Sequence, residues 1–203
     1  MKIICVGRNY IKHIEELNNP LPDEPAIFMK PHSSLLAAGQ PFVIPSFSGN
    51  IHHEMEIVLR IGKRGRNVSL KEALTYVDAL TAGIDFTARD IQDALKEKRL
   101  SWELSKAFDG AAAAGAFIPV KNTIDLENID FELRINDEIR QKSNSRFMIF
   151  SFAKIISFVS LFFTLDQGDL IYTGTPEGVA AVKSGDRLEG FINGQILLQL
   201  DVL

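Results

Sequence analysis

The chain alternates short apolar runs with Gly, Asn and Asp, and no internal repeat, low-complexity tract or linker interrupts this pattern. Such spacing is typical of an all-β or α+β domain rather than of a helical one. Segment 41–45 is expected to be short and extended. The apolar runs predict strands over residues 2–6, 27–30, 52–61, 79–85 and 170–174.

Turn residues predict two hairpins in the second half of the chain. Residues 131–135 and 138–141 flank the turn Asn136-Asp137, and the last hairpin has its turn at Asn193-Gly194, between 187–192 and 195–203. An Asn-Gly pair between apolar runs is the strongest short-range hairpin signal, because Asn and Gly tolerate the positive φ angles of the favoured turn.

Short helices are expected between the strands. One covers residues 10–17 and is followed by a loop over 18–25. SLKE at 69–72 and TARD at 87–90 have the spacing of capping boxes, so helices should run from them to about 77 and 98.

The longest apolar stretch, 147–165, predicts a largely buried amphipathic helix over about 152–163. Lys154, Ser157 and Ser160 recur at a spacing of three and mark one polar stripe. The many Phe residues are best explained by core packing, and an oligomer interface stays open as the alternative. A membrane span is not expected, because Lys154 and several hydroxyl residues interrupt the stretch.

Composition limits the class of protein. With 203 residues, 46% of them hydrophobic, we expect one globular domain over 1–203. The net charge is −4 without a basic run, so neither nucleic acid nor a membrane is an expected partner. Cys5 is the single cysteine and lies in a predicted buried strand, so no chemical role is assigned to it. Because a single cysteine cannot form an internal disulfide, a reducing compartment is expected. The apolar run at the N-terminus is too short for a signal peptide, and we predict a cytoplasmic protein.

The candidate chemistry begins with Glu54 and Glu56 in the strand HHEMEIVLRIG. Residues i and i+2 of a strand share a face, so the two carboxylates should lie side by side, roughly 6–7 Å apart at the backbone. Two such charges repel unless a cation lies between them, and Mg²⁺ or Ca²⁺ binds carboxylate oxygens. A solvated strand face is the alternative. Asp85 ends a strand before a helix and adds a third carboxylate, although a plain turn residue would explain it equally well alone.

An ordered set of motifs resembles the fumarylacetoacetate hydrolase superfamily. The motifs are GRNY, FMKP, HHEMEIVLRIGK, GIDFTARDIQ, WELSKAFD, INDEIRQ and LDQGDLIYTGTPEGV, between about residues 3 and 202. The chain is most similar to the short single-domain branch with acylpyruvases and oxaloacetate decarboxylases. The resemblance implies an α+β, β-rich fold, a mixed β-sandwich roll of the fumarylacetoacetate hydrolase C-terminal-domain type with a few short helices.

The resemblance also implies roles for residues. The family's metal ligands correspond to Glu54, Glu56 and Asp85, with Mg²⁺ as the usual ion and Mn²⁺ or Ca²⁺ possible. The catalytic pair corresponds to His13 and Glu16, whose i, i+3 spacing puts them on one helix face, where the carboxylate can orient the imidazole as a general base. A solvated surface helix is the alternative.

The remaining implied site residues bind substrate or assist catalysis. Lys106 points toward the metal in the family, and an ordinary surface lysine is the alternative. For Arg89 the alternative is a salt bridge to Asp90 or Asp93. The implied substrate-binding residues are Arg8, Tyr10, Lys30, Arg89, Gln92 and Thr175. His32, His52 and His53 are interpreted as structural, with a substrate contact by His32 as its alternative.

A departure from the family pattern is the segment KAFDGAAAAGAF at 106–117, which is small and apolar, so selectivity should differ there. We further expect a homodimer, and a lid function for the short helix with His13 and Glu16.

The implied chemistry passes through an enolate of a 2-oxo acid, stabilised by the metal. The leading hypothesis is cleavage of C–C bonds, by acylpyruvate hydrolysis or oxaloacetate decarboxylation. An isomerase or tautomerase of hydroxy-dienedioate or oxaloacetate enol and keto forms is the alternative. A metal-binding module without catalysis is the third hypothesis.

Overall fold

The computed structural model describes residues 1–18, 20–120 and 124–203. Asn19, part of the predicted loop 18–25, lies outside them. The α+β, strand-rich fold expected from the sequence is confirmed. The strands are β1 Ile3–Gly7, β2 Ala26–Lys30, β3 Ile51–His53, β4 Met55–Ile61, β5 Val77–Asp85, β6 Thr87–Ala88, β7 Ala112–Ala114, β8 Ile118–Pro119, β9 Asp130–Ile135, β10 Glu138–Asn144, β11 Leu170–Tyr172, β12 Ala180–Ala181, β13 Arg187–Ile192 and β14 Gln195–Asp201. The α-helices are α1 Ile11–Glu16, α2 Arg89–Glu97, α3 Glu103–Lys106 and α4 Phe152–Phe162.

The largest sheet has the order β2-β1-β11-β4-β5-β7, with β8 also pairing to β5. β1 and β11 run parallel, and the other pairs are antiparallel. The antiparallel register places Met55 opposite Ile84 and Glu56 opposite Gly83. The beginning of β4 therefore lies beside the end of β5, which brings the acidic positions of the two strands together.

The second sheet, β10-β9-β13-β14, packs against one face of the first. Met55, Ile57 and Leu59 point into the main core between them, whereas Val58 joins a smaller cluster with Cys5 and Tyr172 on the other face. This is the alternation predicted for the Glu-x-Glu strand. Because of this alternation, Glu54 and Glu56 lie on the face opposite the main core.

The predicted strand 52–61 is interrupted at Glu54, which separates β3 from β4. The prediction of one continuous strand was wrong because the two halves pair with different sheets, β3 with β6 and β12, and β4 with β5 and β11. The Asp85 backbone N–H still donates to the Glu54 carbonyl at 2.8 Å. The interruption therefore changes the direction of the chain at Glu54 without separating it from the end of β5.

Both capping-box predictions fail in detail. The helix predicted from SLKE is only a 3₁₀ turn over Ala73–Tyr76, because β5 begins immediately at Val77 and the Ser69 hydroxyl donates to the Glu72 side chain. The helix predicted from TARD exists as α2, but Thr87 belongs to β6 and does not cap it. Its hydroxyl accepts a hydrogen bond from Lys106 instead.

Other elements agree with the sequence. Both hairpins form, with positive φ at Asn136, Asp137, Asn193 and Gly194, as the turn residues predicted. Cys5 is fully buried in β1. Segment 41–45 is extended without forming a strand, and makes one isolated bridge from Phe42 to Val202.

Helix α4 forms as predicted. Its serines face the backbone of Val68, since Ser157 donates to the carbonyl and Ser160 accepts from the N–H. Leu161 and Phe162 are exposed near its end. The homodimer stays a prediction. In the described part of the chain, every helix is too short or too polar to cross a membrane.

Asn9 joins three parts of the chain that surround the acidic positions. Its side chain donates to the carbonyls of Phe150 and Thr173 at 3.0 and 2.8 Å and accepts from the Phe150 N–H at 2.7 Å. Asn9→Leu would leave all three backbone groups buried without a partner. We expect a loss of roughly 3 kcal/mol in the free energy of unfolding, measured in urea, since each such group costs about 1–3 kcal/mol. Gln195→Leu, at an exposed amide, is the control. An Asn9→Leu protein as stable as this control would contradict the assigned role.

Candidate metal and substrate site

Glu54, Glu56 and Asp85 form one buried carboxylate cluster. Glu54 lies at the break between β3 and β4, Glu56 in β4, and Asp85 at the end of β5. One carboxylate oxygen from each residue lies within 4.8 Å of the others. The solvated strand face is therefore the wrong alternative for this pair of glutamates, since all three residues are at most 5% exposed.

Lys106 bridges this cluster from the end of α3. Its Nζ donates to Glu54 Oε2 at 2.8 Å, to Asp85 Oδ2 at 2.6 Å and to Thr87 Oγ1 at 2.7 Å. It is buried, so the surface-lysine alternative is wrong. Arg89, the first residue of α2, also donates to Glu54 and to Gln92, and it pairs with neither Asp90 nor Asp93.

Lys30, which the resemblance implies to bind substrate, lies against Asp85 and not in the cavity wall. It is 2% exposed and does not line the cavity, which argues against a direct substrate contact. Its Nζ donates to the carbonyls of Lys106 and Ala111 and lies 2.7 Å from Asp85 Oδ1. Lys30 therefore stabilises the cluster through its contacts with Asp85 and with the Lys106 carbonyl at the end of α3.

The pKa values of Glu54 and Glu56 are shifted in opposite directions because the cations lie beside Glu54. Burial by itself would raise the pKa of Glu54, but Lys106 and Arg89 beside it hold the pKa well below its ordinary value. Burial raises the pKa of Glu56 well above its ordinary value, and the nearby Asp85 carboxylate raises it further. Among the described residues, Glu56 has no cation in salt-bridge contact and accepts one backbone hydrogen bond, from Gly174 N–H at 2.6 Å.

A hard divalent cation fits this arrangement. Asp85 Oδ1 is buried and accepts no hydrogen bond among the described residues, because its contact with Lys30 Nζ lacks hydrogen-bond geometry. Glu56, unlike Asp85, has no cation in salt-bridge contact among the described residues. Mg²⁺ and Mn²⁺ favour carboxylate oxygens. Glu54, Glu56 and Asp85 would hold such an ion, and Lys106 Nζ would leave its bridging position between Glu54 and Asp85.

Helix α1 places His13 beside the cluster. His13 Nδ1 lies 3.2 Å from Glu16 Oε2, and Glu16 Oε1 accepts from the Gly178 backbone N–H at 3.0 Å. Burial lowers the pKa of His13 below 6.5, although Glu54 and Glu16 oppose the shift. The imidazole is therefore neutral near pH 7, with Nδ1–H toward Glu16, and Nε2, which has no hydrogen-bond partner among the described residues, can accept a proton. A solvated surface helix does not describe this buried side chain.

A cavity of about 30 Å³ joins these groups. Of the residues predicted from the sequence, it is lined by Arg8, His13, Glu54, Glu56, Asp85, Arg89, Gln92, Lys106 and Thr175. Glu16 does not line the cavity but contacts His13, which does. The sequence analysis missed Trp102, Phe28 and Lys96 in the wall. Trp102 belongs to WELSKAFD, a motif that carried the family resemblance, and Arg8 lies over its ring at 5.5 Å.

Tyr10 does not line this cavity, and its prediction as a direct substrate contact is not supported. The ring is 2% exposed, packs 6.0 Å from Phe131, and lines a separate surface pocket. Tyr10 is the N-cap residue of α1 and packs in the main core, whereas Arg8 and the helix residue His13 line the cavity. His32 is exposed outside the cavity, and His52 and His53 hydrogen bond to Asn50 and Gln141, as expected of structural histidines.

Comparison with known proteins places the chain in one family. Residues 2–202 match the family model described as Fumarylacetoacetate (FAA) hydrolase C-terminal. The chain is 41% identical over 200 residues to the mitochondrial oxaloacetate tautomerase of Bos taurus, covering 98% of this chain and 90% of that protein. It is 43% identical over 204 residues to the mitochondrial oxaloacetate decarboxylase of Dictyostelium discoideum, covering 100% and 94%.

A solved structure agrees with the fold. The fumarylpyruvate hydrolase of Pseudomonas aeruginosa, in complex with Mn²⁺ and pyruvate, has a TM-score of 0.93 and 36% identity, and the match covers 100% of this chain and 89% of that one. The single domain over 1–203 stays a prediction. The cytoplasmic location also stays a prediction, and the two relatives above are named as mitochondrial proteins.

Removing one carboxylate should remove metal binding. Glu56→Gln keeps the shape of the side chain and deletes the charge that Lys106 and Arg89 leave unbalanced. We expect Mn²⁺ affinity, measured by calorimetry, to fall at least 10-fold. Glu132→Gln, a carboxylate paired with Arg134 and Lys142 away from the cluster, is the control. Equal Mn²⁺ affinity in Glu56→Gln and wild type would contradict the assignment.

Proposed function

The chain belongs to the fumarylacetoacetate hydrolase family, and on that premise we propose that it is a divalent-metal-dependent enzyme that interconverts the enol and keto forms of a short 2-oxo diacid of the oxaloacetate type. The observation that carries the proposal is the neutral, buried imidazole of His13 in the same cavity wall as three carboxylates and their cations. The supporting relative is the oxaloacetate tautomerase of Bos taurus.

The charges of the site favour a dianionic substrate. Glu54, Glu56 and Asp85 can carry three negative charges, and the buried cations Lys30, Arg89 and Lys106, which pair with Glu54 and Asp85, carry three positive ones. A divalent ion held by the three carboxylates would add two positive charges that these side chains do not balance. A substrate with two carboxylates balances them, and Arg8 and Lys96 add positive potential at the cavity wall.

The side chains suit proton transfer at the carbon next to the 2-oxo group. His13 Nε2 takes the proton from C3, the C3–H electron pair forms the C2–C3 double bond, and the C2 oxygen becomes an enolate. The imidazolium then returns the proton to that oxygen, which completes the tautomerisation without loss or gain of atoms. Glu16 holds Nδ1–H and stabilises the imidazolium between the two steps.

The cation supplies the Lewis acid. When bound, a divalent ion would polarise the 2-oxo group and lower the cost of removing the C3 proton. Mg²⁺ is proposed, and Mn²⁺ also favours carboxylate donors; the fumarylpyruvate hydrolase structure contains Mn²⁺. Thr175 and Arg89 line the cavity where substrate carboxylates would bind. Trp102 and Phe28 limit the space beside them.

Cleavage of a C–C bond is the second candidate. It is favoured by the names of two relatives, an oxaloacetate decarboxylase and a fumarylpyruvate hydrolase. The sequence analysis placed this chemistry first. We place tautomerisation first because a single neutral base is sufficient for it, whereas hydrolysis also needs a water molecule positioned for attack on the substrate.

The most direct test follows loss of enol absorbance from oxaloacetate, with an acylpyruvate and decarboxylation assayed in parallel. We expect Mg²⁺- or Mn²⁺-loaded protein to accelerate ketonisation, and EDTA-treated protein to be inactive. Full activity after complete metal removal, confirmed by elemental analysis, would contradict metal dependence. Faster acylpyruvate cleavage than ketonisation would give the second candidate the lead.

Replacing the base separates the reactions. His13→Ala should lower ketonisation and any acylpyruvate hydrolysis on the order of 10²–10⁴-fold, the usual range for a general base. Decarboxylation needs no base and should fall less. Glu16→Gln should follow His13→Ala in direction, with Mn²⁺ affinity unchanged in both. His32→Ala is the control, because His32 is exposed outside the cavity. Equal, small losses in all three assays would mean that His13 only holds helix α1.

The loss of activity at low pH should report the protonation of His13. Because burial lowers the pKa of His13 below 6.5, the imidazole stays unprotonated to a lower pH, and activity is lost only as the pH falls through that lowered pKa. The acid limb of kcat/KM at saturating Mn²⁺ should therefore have its midpoint below pH 6.5. Parallel Mn²⁺ titrations exclude metal loss as the cause. A midpoint above 6.5 would contradict the assignment.

A further inference from the structure

Gln141 is a buried amide that connects two segments of the site without lining the cavity. It lies in β10, is 1% exposed, and reaches both Met55 at the start of β4 and the loop at Thr175 and Pro176. We propose that Gln141 is a positioning residue that aims the hydroxyl proton of Thr175 at a substrate carboxylate. The inference rests on the proposed function, which places that carboxylate beside Thr175.

Backbone groups fix the orientation of the Gln141 amide. At one end, the Met55 backbone N–H lies 2.9 Å from Oε1, and at the other end the Pro176 carbonyl lies 3.0 Å from Nε2. A backbone N–H can only donate and a carbonyl can only accept. Exchanging the oxygen and nitrogen of the side chain would therefore break both hydrogen bonds, so the assignment of the amide follows from chemistry.

The fixed amide determines the hydrogen bonds of its other neighbours. His53 Nδ1, 3.0 Å from Oε1, must carry the proton and donate. At the other end, Nε2–H donates to Thr175 Oγ1 at 2.8 Å, so this oxygen accepts. The hydrogen bonds therefore all donate in one direction, from His53 and Met55 to the Gln141 amide and from the amide to Thr175.

Thr175 then has one hydroxyl proton to direct elsewhere. No described residue accepts a hydrogen bond from its Oγ1, and Thr175 lines the cavity while being 3% exposed. The proton is free to donate to an anionic oxygen in the cavity. An accepting hydroxyl is also a better donor, because hydrogen bonds in a chain polarise one another.

The loop after Thr175 is held closely against Gln141. A Cβ at Gly178 would lie 2.4 Å from the Arg140 carbonyl, and φ at Gly178 is +94°, so this position requires glycine. The Gly174 N–H donates to Glu56, and the Gly178 N–H donates to Glu16. Thr175 therefore lies on a short loop that is tied to a proposed metal ligand, to α1 and to β10, and Gln141 is the side chain that fixes its hydroxyl.

The experiment is a double-mutant cycle on ketonisation of oxaloacetate at saturating Mn²⁺. Thr175→Val removes the hydroxyl, and Gln141→Met removes the donor at similar length. Each should raise KM for oxaloacetate roughly 10- to 100-fold, the range of a hydrogen bond to a charged group, with a smaller change in kcat. Gln141→Met should add nothing in the Thr175→Val background, because its effect passes through the hydroxyl. Thr175→Ser, which keeps the hydroxyl, should raise KM less than Thr175→Val does.

Gln141→Glu is the second variant, nearly identical in shape. Its ionised carboxylate accepts from Met55, His53 and the Thr175 hydroxyl, so the proton turns away from the cavity. We expect the same rise in KM as in Thr175→Val, with Mn²⁺ affinity within about twofold of wild type, which a general loss of structure would not produce. This variant also decides the question if Gln141→Met does not fold.

The outcomes separate the two proposals. Effects of Gln141→Met and Thr175→Val that multiply in the double variant, or KM unchanged in both Gln141 variants while Thr175→Val raises it, would overturn this inference and leave the proposed function standing. Wild-type protein without ketonisation activity would overturn the proposed function and this inference with it.

Discussion

The structure depends on keeping three carboxylates buried within 4.8 Å of one another. Coulomb repulsion in a poorly solvated region makes this arrangement unfavourable unless positive charge surrounds it. The fold supplies that charge from three separate elements: Lys30 ends β2, Arg89 begins α2 and Lys106 ends α3. The antiparallel register of β4 and β5 supplies the carboxylates. Removing one partner would leave the other charge buried and unpaired.

The same constraint organises the loops around the cluster. Glu56 and Glu16 both accept hydrogen bonds from the backbone of the segment 174–178, so this segment contacts both a proposed metal ligand and the helix that carries His13. Lys12 also lies 3.5 Å from Glu177 at the surface. The proposed lid role of α1 stays a prediction.

Much of the fold could be predicted because local sequence chemistry determines it. Alternation along 55–61 predicts which side chains face the core, and the turn residues Asn136-Asp137 and Asn193-Gly194 and the apolar segment at 152–163 predict their hairpins and helix. The break at Glu54 could not be predicted, since it follows from pairing with two different sheets. The 3₁₀ turn at Ala73–Tyr76 likewise follows from where β5 must begin.

The site was predictable in its residue types and less so in its contacts. Strand alternation brings Glu54 and Glu56 together, and the family resemblance identified His13, Arg89 and Lys106. The resemblance could not show that Lys30 supports Asp85 from below or that Tyr10 faces the core, because both depend on long-range packing. Gln141 was missed because a buried Gln in an amphipathic hairpin strand gives no local signal, and only its partners at Met55 and Thr175 reveal its role.

The central claim is that these three carboxylates hold a divalent cation at the position that Lys106 Nζ bridges. A crystal structure of the protein with Mn²⁺ and pyruvate, with anomalous scattering recorded for manganese, tests it directly. We predict one strong anomalous peak coordinated by Glu54, Glu56 and Asp85, with Lys106 Nζ moved away from its contacts with Glu54 and Asp85. A map without an anomalous peak there, in crystals soaked at saturating Mn²⁺, or with Lys106 still bridging both carboxylates, would contradict the account.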